Sequence, residues 1–316
     1  MNIFVNRDEK RLRAGWRVLI QIVLFFAMLA GLAVAGQFLP HGPLGTVLGA
    51  VAYIVCGLGL AWVLGRFLDK RRFADFGFHL SPGWWLDFVF GLFLGAALLS
   101  AVFFTFQAAG WVTITGYQVS QGPLPFAAAF GVDLLLFIAV GINEELAFRG
   151  YLLKNMAEGF GGKRFGPRAG IVLAFVVSSA LFGLGHAANP GATVLSTANV
   201  ALAGLLLGLP YMLTGELSTA IGVHIAWNLF EGTVFGFPVS GGVPSTHFLA
   251  LDVHGPDLWT GGSFGPEGGL CAVIWILIAC VVILLWNRFR RGNIKLATKV
   301  ATFERRVPVA LAGAER

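Results

Sequence analysis

The chain has 316 residues, 57% of them hydrophobic and only 12% charged, with 22 Lys and Arg against 16 Asp and Glu. A charged share so far below the roughly 25% of ordinary globular chains excludes a water-soluble fold of this length. The net charge of +6 does not mark a nucleic-acid binder, because the basic residues cluster between apolar runs, as they do where charge fixes orientation in a bilayer.

Crossing the hydrocarbon takes about 20 apolar residues. The polar start, MNIFVNRDEKRLR, is too long for a simple signal peptide, and no small-residue cleavage site follows the first apolar run. Eight apolar segments then follow in order, at 16–39, 44–67, 84–108, 125–149, 168–186, 194–213, 217–237 and 269–287. Thr214–Glu216 makes a short turn, 187–193 a short loop, and 238–268, rich in Gly, Pro and Ser, a long loop. The fold expected is all-α: a polytopic transmembrane helix bundle of about eight helices, a single membrane domain over 1–316. Gly (43 residues) suits close packing of its helices, and 9 Trp and 29 Phe suit its interfaces. Cys56, Cys271 and Cys280 lie in apolar runs without ligand-like spacing and read as packing residues.

Charge supplies the orientation. With the N-terminus in the cytoplasm and eight spans, five Lys or Arg fall in 1–17, four in 66–72, five in 149–168 and eight in 288–316, which accounts for all 22. The opposite loops hold none, so both termini are expected in the cytoplasm, with 1–15 and 288–316 as basic tails.

An ionisable group at membrane depth costs at least ~2.5 kcal/mol and calls for a reason. Such groups concentrate in three places. In Gly141-Ile-Asn-Glu-Glu-Leu-Ala-Phe-Arg149, Glu145 and Arg149 are four apart and can pair, which leaves Glu144 to point elsewhere. Phe182-Gly-Leu-Gly-His186 puts a His near the end of the fifth segment. In His224-Ile-Ala-Trp-Asn228 the His and Asn share one helix face. Each piece alone fits ordinary packing, snorkelling or interhelical hydrogen bonding. Together they place two carboxylates, an Arg, two His and an Asn on three helices.

Two layouts fit. A carboxylate and an imidazole can activate water while a second imidazole and a carboxamide hold an oxyanion. Alternatively Glu144, His186 and His224 can hold a divalent metal such as zinc with its water. Both describe peptide hydrolysis. No HExxH and no GxxxxGK[ST] occurs, which disfavours a zincin and a nucleotide-driven pump.

The ordered triple Glu144-Glu145-x-x-x-Arg149, Phe182-x-x-x-His186 and His224-x-x-x-Asn228 resembles the motifs of the CPBP family of CAAX proteases and bacteriocin-processing proteins (also called Abi), which includes the type II CAAX prenyl endopeptidases. The resemblance covers about 126–235, the expected catalytic core, and the Gly-rich 261–268 stretch is similar to that of bacterial members. It implies an intramembrane endopeptidase of the bacterial cytoplasmic membrane, partnered by membrane lipid and by a protein or peptide substrate that can itself be membrane-anchored. In such members Glu144 with His186 would activate water, His224 and Asn228 would stabilise the oxyanion, and Glu145 and Arg149 would order the site. Prenylated substrates belong to eukaryotic members, so the substrate stays open. The rival classes are a non-enzymatic immunity or scaffold protein and a proton-coupled transporter relaying through Glu144 and Glu145.

Depth adds a constraint. If the fourth helix ended at Arg149, Glu144 would sit at the cytoplasmic face, out of reach of His186. The helix is therefore expected to run to about Ala157, with Gly159–Gly162 turning the chain. Measured from that turn, Glu144 sits ~20 Å and His186 ~28 Å up, and His224 ~14 Å from the start of its own helix. Asp133 is expected as a structural hydrogen-bonder or else at the cavity mouth, and Glu231, three residues after Asn228, could reach the site.

Overall fold

Apolar segments with no water to bond must satisfy their own backbone, and they do so as helices. The computed structural model describes residues 3–162 and 165–303. Lys163, Arg164 and the basic residues of 304–316, which the charge count used, lie outside the described residues.

In chain order the helices are α1 (Ala14–Gly36), α2 (Pro43–Asp69), α3 (Pro82–Ala108), α4 (Phe126–Phe160), α5 (Gly166–Gly185), α6 (Val194–Thr214), α7 (Ser218–Asn228) and α8 (Leu270–Arg291). All except α7 are long and apolar enough to cross a membrane. The expected span 217–237 is shorter than that: 11 α-helical residues continue as a wider six-residue turn, Leu229–Val234. Every residue of Ser218–Asn228 is buried. A helix wrapped by other helices faces no lipid, so it need not match the bilayer thickness.

α3 comes close enough for backbones to touch α7. A Cβ built on Gly91 would lie 3.1 Å from the Gly222 Cα, and one on Gly95 would lie 3.0 Å from the Trp227 nitrogen. Small residues permit this approach, and it fixes α7 at the centre of the bundle.

The fourth helix does run past Arg149. α4 has 35 residues, about 52 Å, against ~30 Å of hydrocarbon. Leu146–Leu153 adopts a wider π-type winding within it.

One expectation needs correction. The stretch 238–268 is not all loop, because Thr246–Val253 is a strand, β4, and it pairs antiparallel with β3 (Val112–Ser120). A short hairpin, β1 (Val5–Asn6) with β2 (Arg11–Leu12), precedes α1. The alternation Val-Thr-Ile-Thr in β3 is the local signal of a strand, and β4 supplies the partner that only the fold reveals.

At one end of the bundle the basic residues are knitted to acids. Arg11, Arg17 and Arg71 converge on Glu158, and Arg11 and Arg17 also pair with Asp69. Lys299 and His79 pair with Glu216, and Arg290 and Arg291 with Asp87. The β3–β4 sheet lies at the other end.

Candidate active site

Glu145 is the hub of the buried polar groups. Its Oε1 accepts from Arg149 Nη1 at 2.9 Å, one helical turn on, and from His224 Nδ1 at 2.8 Å across from α7. Arg149 is 1% exposed, donates to the Gly204 carbonyl of α6 at 3.1 Å, and lies 4.3 Å from the Phe182 ring centre. Three helices are thus tied to α4 by one ion pair and its neighbours.

Phe182 occupies the middle of this arrangement. Its ring sits edge-on to His224 at 6.2 Å and tilted against His186 at 4.9 Å. The Phe of the second motif therefore carries the Arg149 cation on its face and spaces the two imidazoles.

The ring nitrogens can be assigned from their partners. His186 Nδ1 lies 2.9 Å from the Phe182 carbonyl, which only accepts, so Nδ1 carries the proton and Nε2 is left as an acceptor. His224 gives its Nδ1 proton to Glu145, and its Nε2 lies 3.9 Å from Glu144 Oε2. Glu144 Oε2 is buried and has no protein hydrogen-bond partner. A buried carboxylate oxygen needs a donor, and a water bridging Glu144 to the imidazole would be one.

Glu144, His186, His224 and Asn228 all line one cavity of about 720 Å³. Four of the six residues singled out in the sequence meet there, and Glu145 and Arg149 lie directly behind them. His224 is the imidazole within 4 Å of Glu144, whereas its expected partner His186 stands further off. The donor set proposed for a metal does not gather: among the described residues no group of three or more His, Cys, Asp or Glu side chains is placed to hold an ion.

Asp133 and Glu231 also find their places. Asp133 lines the cavity and accepts from Thr233 at 3.2 Å, so it fills both roles expected of it. Glu231 is fully buried behind the cavity wall, where it accepts from Trp227 Nε1 at 2.9 Å and from the Glu267 backbone nitrogen at 3.4 Å.

Glu267 was missed as a site residue. The Gly-rich 261–268 stretch folds back through Gly261 (φ 82°) and Gly265 (φ 105°), and this brings Glu267 into the cavity wall, where Ser240 donates to it. Positive φ at these positions is open to Gly at no steric cost. Burial pushes the Glu267 carboxyl above the usual carboxylate range, against the opposing pull of the Ser240 hydrogen bond. The only signal in the sequence was a Glu in a Gly-rich loop, which does not say where the loop folds.

Residues 126–230 match the model of the family described as type II CAAX prenyl endopeptidase Rce1-like. No curated protein and no solved structure matches the chain. The matched segment begins with α4 and ends in the turn after α7, so it contains Glu144, Glu145, Arg149, His186, His224 and Asn228, and the chain is an integral membrane protein whose residues 126–230 are similar to the CAAX-type endopeptidases.

Proposed function

We propose that the protein is an intramembrane endopeptidase in which Glu144 activates the water that attacks a peptide carbonyl. The observation that carries this is the partnerless buried oxygen of Glu144, 3.9 Å from an imidazole whose other nitrogen is anchored on Glu145. Glu144 takes a proton as the water oxygen bonds to the carbonyl carbon. His186 Nε2, an acceptor facing the same cavity, assists that transfer. The C–N bond then breaks, and the proton held by Glu144 passes to the leaving amine.

Charge balance assigns the rest. Two carboxylates, Glu144 and Glu145, stand against one guanidinium. With both ring nitrogens protonated, His224 makes the cluster neutral and turns an Nε2–H donor toward the developing oxyanion. Asn228, one turn later, adds its carboxamide. Glu145 and Arg149 position His224 and do not touch the substrate. Among the described residues no three His, Cys, Asp or Glu side chains form a metal cradle, and the steps above are written with the chain's own groups.

The test is Glu144→Gln, which keeps size and hydrogen bonding and removes the base. General bases contribute about 10²–10⁴-fold, so cleavage should fall by that factor. Comparing N-terminal peptides from membranes of cells carrying wild type or E144Q reads it directly. Uncut precursors should accumulate with E144Q; identical profiles would refute the role of Glu144.

A further inference from the structure

Among the described residues, none that lines the cavity is Lys or Arg. Its carboxyls are Glu144 at the floor, Glu267 in the wall, and Asp133 eleven residues nearer the start of α4, about 16 Å along the axis. Leu136, Val140 and Leu206 make the walls between them apolar. The rim consists of Pro43 and Thr46 from the start of α2, Gln121 and Leu124 from the β3–α4 connection, and Val243 and Ser245 before β4.

That rim lies at the far end of the bundle from the Arg11–Glu158 cluster. α4 makes the geometry plain: it begins beside Leu124 and carries in its last turn Glu158, which holds Arg11, Arg17 and Arg71. No Lys or Arg occurs in the connections at the rim end, residues 37–48, 109–125, 187–193 and 235–269. Short basic connections stay in the cytoplasm, so the bare end faces out.

We propose that the cavity opens to the exoplasmic side of the membrane and takes uncharged or cationic peptide segments presented there. This substrate class rests on the peptidase reading above. An anionic segment would give up its hydration to enter and would meet three carboxyls, while the imidazolium of His224, the cation turned to the cavity, is already held by Glu145. An apolar segment flanked by Lys meets apolar walls and a rim that leads past Asp133.

The test uses the full-length protein in right-side-out spheroplasts and a membrane-impermeant maleimide. Ser245→Cys places a thiol at the rim, Ala203→Cys one on the inner wall, and Lys295→Cys one at the basic end. Wild type, whose Cys271 is buried and whose Cys56 and Cys280 lie mid-helix in the membrane-spanning α2 and α8, is the blank. S245C and A203C should label in intact spheroplasts, and K295C only after permeabilisation. Labelling of S245C and A203C only after permeabilisation would overturn the access side. It would leave the E144Q result untouched, so the two readings fail separately.

Three synthetic peptides sharing one apolar stretch and differing only in flanking Lys, Ser or Glu are then added from outside. The Lys and Ser peptides should slow A203C labelling severalfold, and the Glu peptide should not. Equal protection by all three, protection by the Glu peptide alone, or protection by none would overturn the substrate class.

Discussion

Replacing Arg149 with Met tests whether the Glu145–Arg149–His224 cluster acts as one electrostatic unit. Met keeps the length of the side chain and removes its charge. Glu145 would then remain fully buried with His224 as its one strong partner at 2.8 Å, and the Gly204 carbonyl would lose its donor at 3.1 Å. Breaking a buried ion pair from one side costs about 3–5 kcal/mol, and the surviving His224 contact puts R149M near the lower figure. The Phe182 face loses its cation as well, a contact worth up to about 2 kcal/mol where water is excluded, though these losses do not simply add. The assay is reversible unfolding in mixed micelles followed by Trp fluorescence, on R149M, E145Q and the double variant. Because E145Q removes the charge that R149M strands, the double variant should be more stable than R149M alone. A loss under about 1 kcal/mol in R149M, or a double variant no better than the single, would show that the cluster is not coupled and refute the positioning role assigned to it.

Two further changes probe neighbouring parts of the site. Phe182→Ala removes a ring only 3% exposed and should cost about 3–5 kcal/mol, with loss of cleavage because both imidazoles lose their spacer; unchanged thermal stability of the purified variant would contradict this. Gly222→Ala inserts a methyl 3.0 Å from the Gly91 Cα and against the Phe88 carbonyl, backbone that cannot rotate away. It should cost about 1–3 kcal/mol and lower cleavage by shifting His224 two residues on, with unfolding and activity read on the same preparation.

Much of the architecture was legible because membrane helices announce themselves locally. Hydropathy locates the passes, and the depth of His186 in its own helix requires α4 to run beyond Arg149, as it does to Phe160. The i,i+4 spacings of Glu145 with Arg149 and of His224 with Asn228 were readable for the same reason: helix geometry turns sequence distance into a shared face. What could not be read depends on contacts between distant segments. β3 and β4 are separated by more than a hundred residues, and neither makes sense as a strand without the other. Glu267 reaches the cavity through three positive-φ glycines, Gly261, Gly262 and Gly265, whose effect on chain direction no periodicity records. Spacing alone also could not say that His224, rather than His186, stands nearer Glu144, since that depends on how far each helix is pushed along its axis by its packing.

The shortness of α7 bears on how the protein is made. A segment of 17 residues carrying His224, Asn228 and Glu231 is a poor candidate for leaving the translocon alone. Its sequence neighbour α6 is joined to it by only three residues, so the two can enter lipid as a hairpin. The groove that receives α7, lined by Gly91 and Gly95 of α3 and by α4, has by then already been synthesised. Chemistry and insertion therefore pull against each other in this helix: the groups that would react are those that make it reluctant to enter the bilayer, and its neighbours must be waiting. Glycosylation-site mapping of nascent chains ended after residue 237 should show α7 inserted in the full sequence and left out when α3 is replaced by a plain poly-Leu span; insertion in both would show that α7 needs no such help.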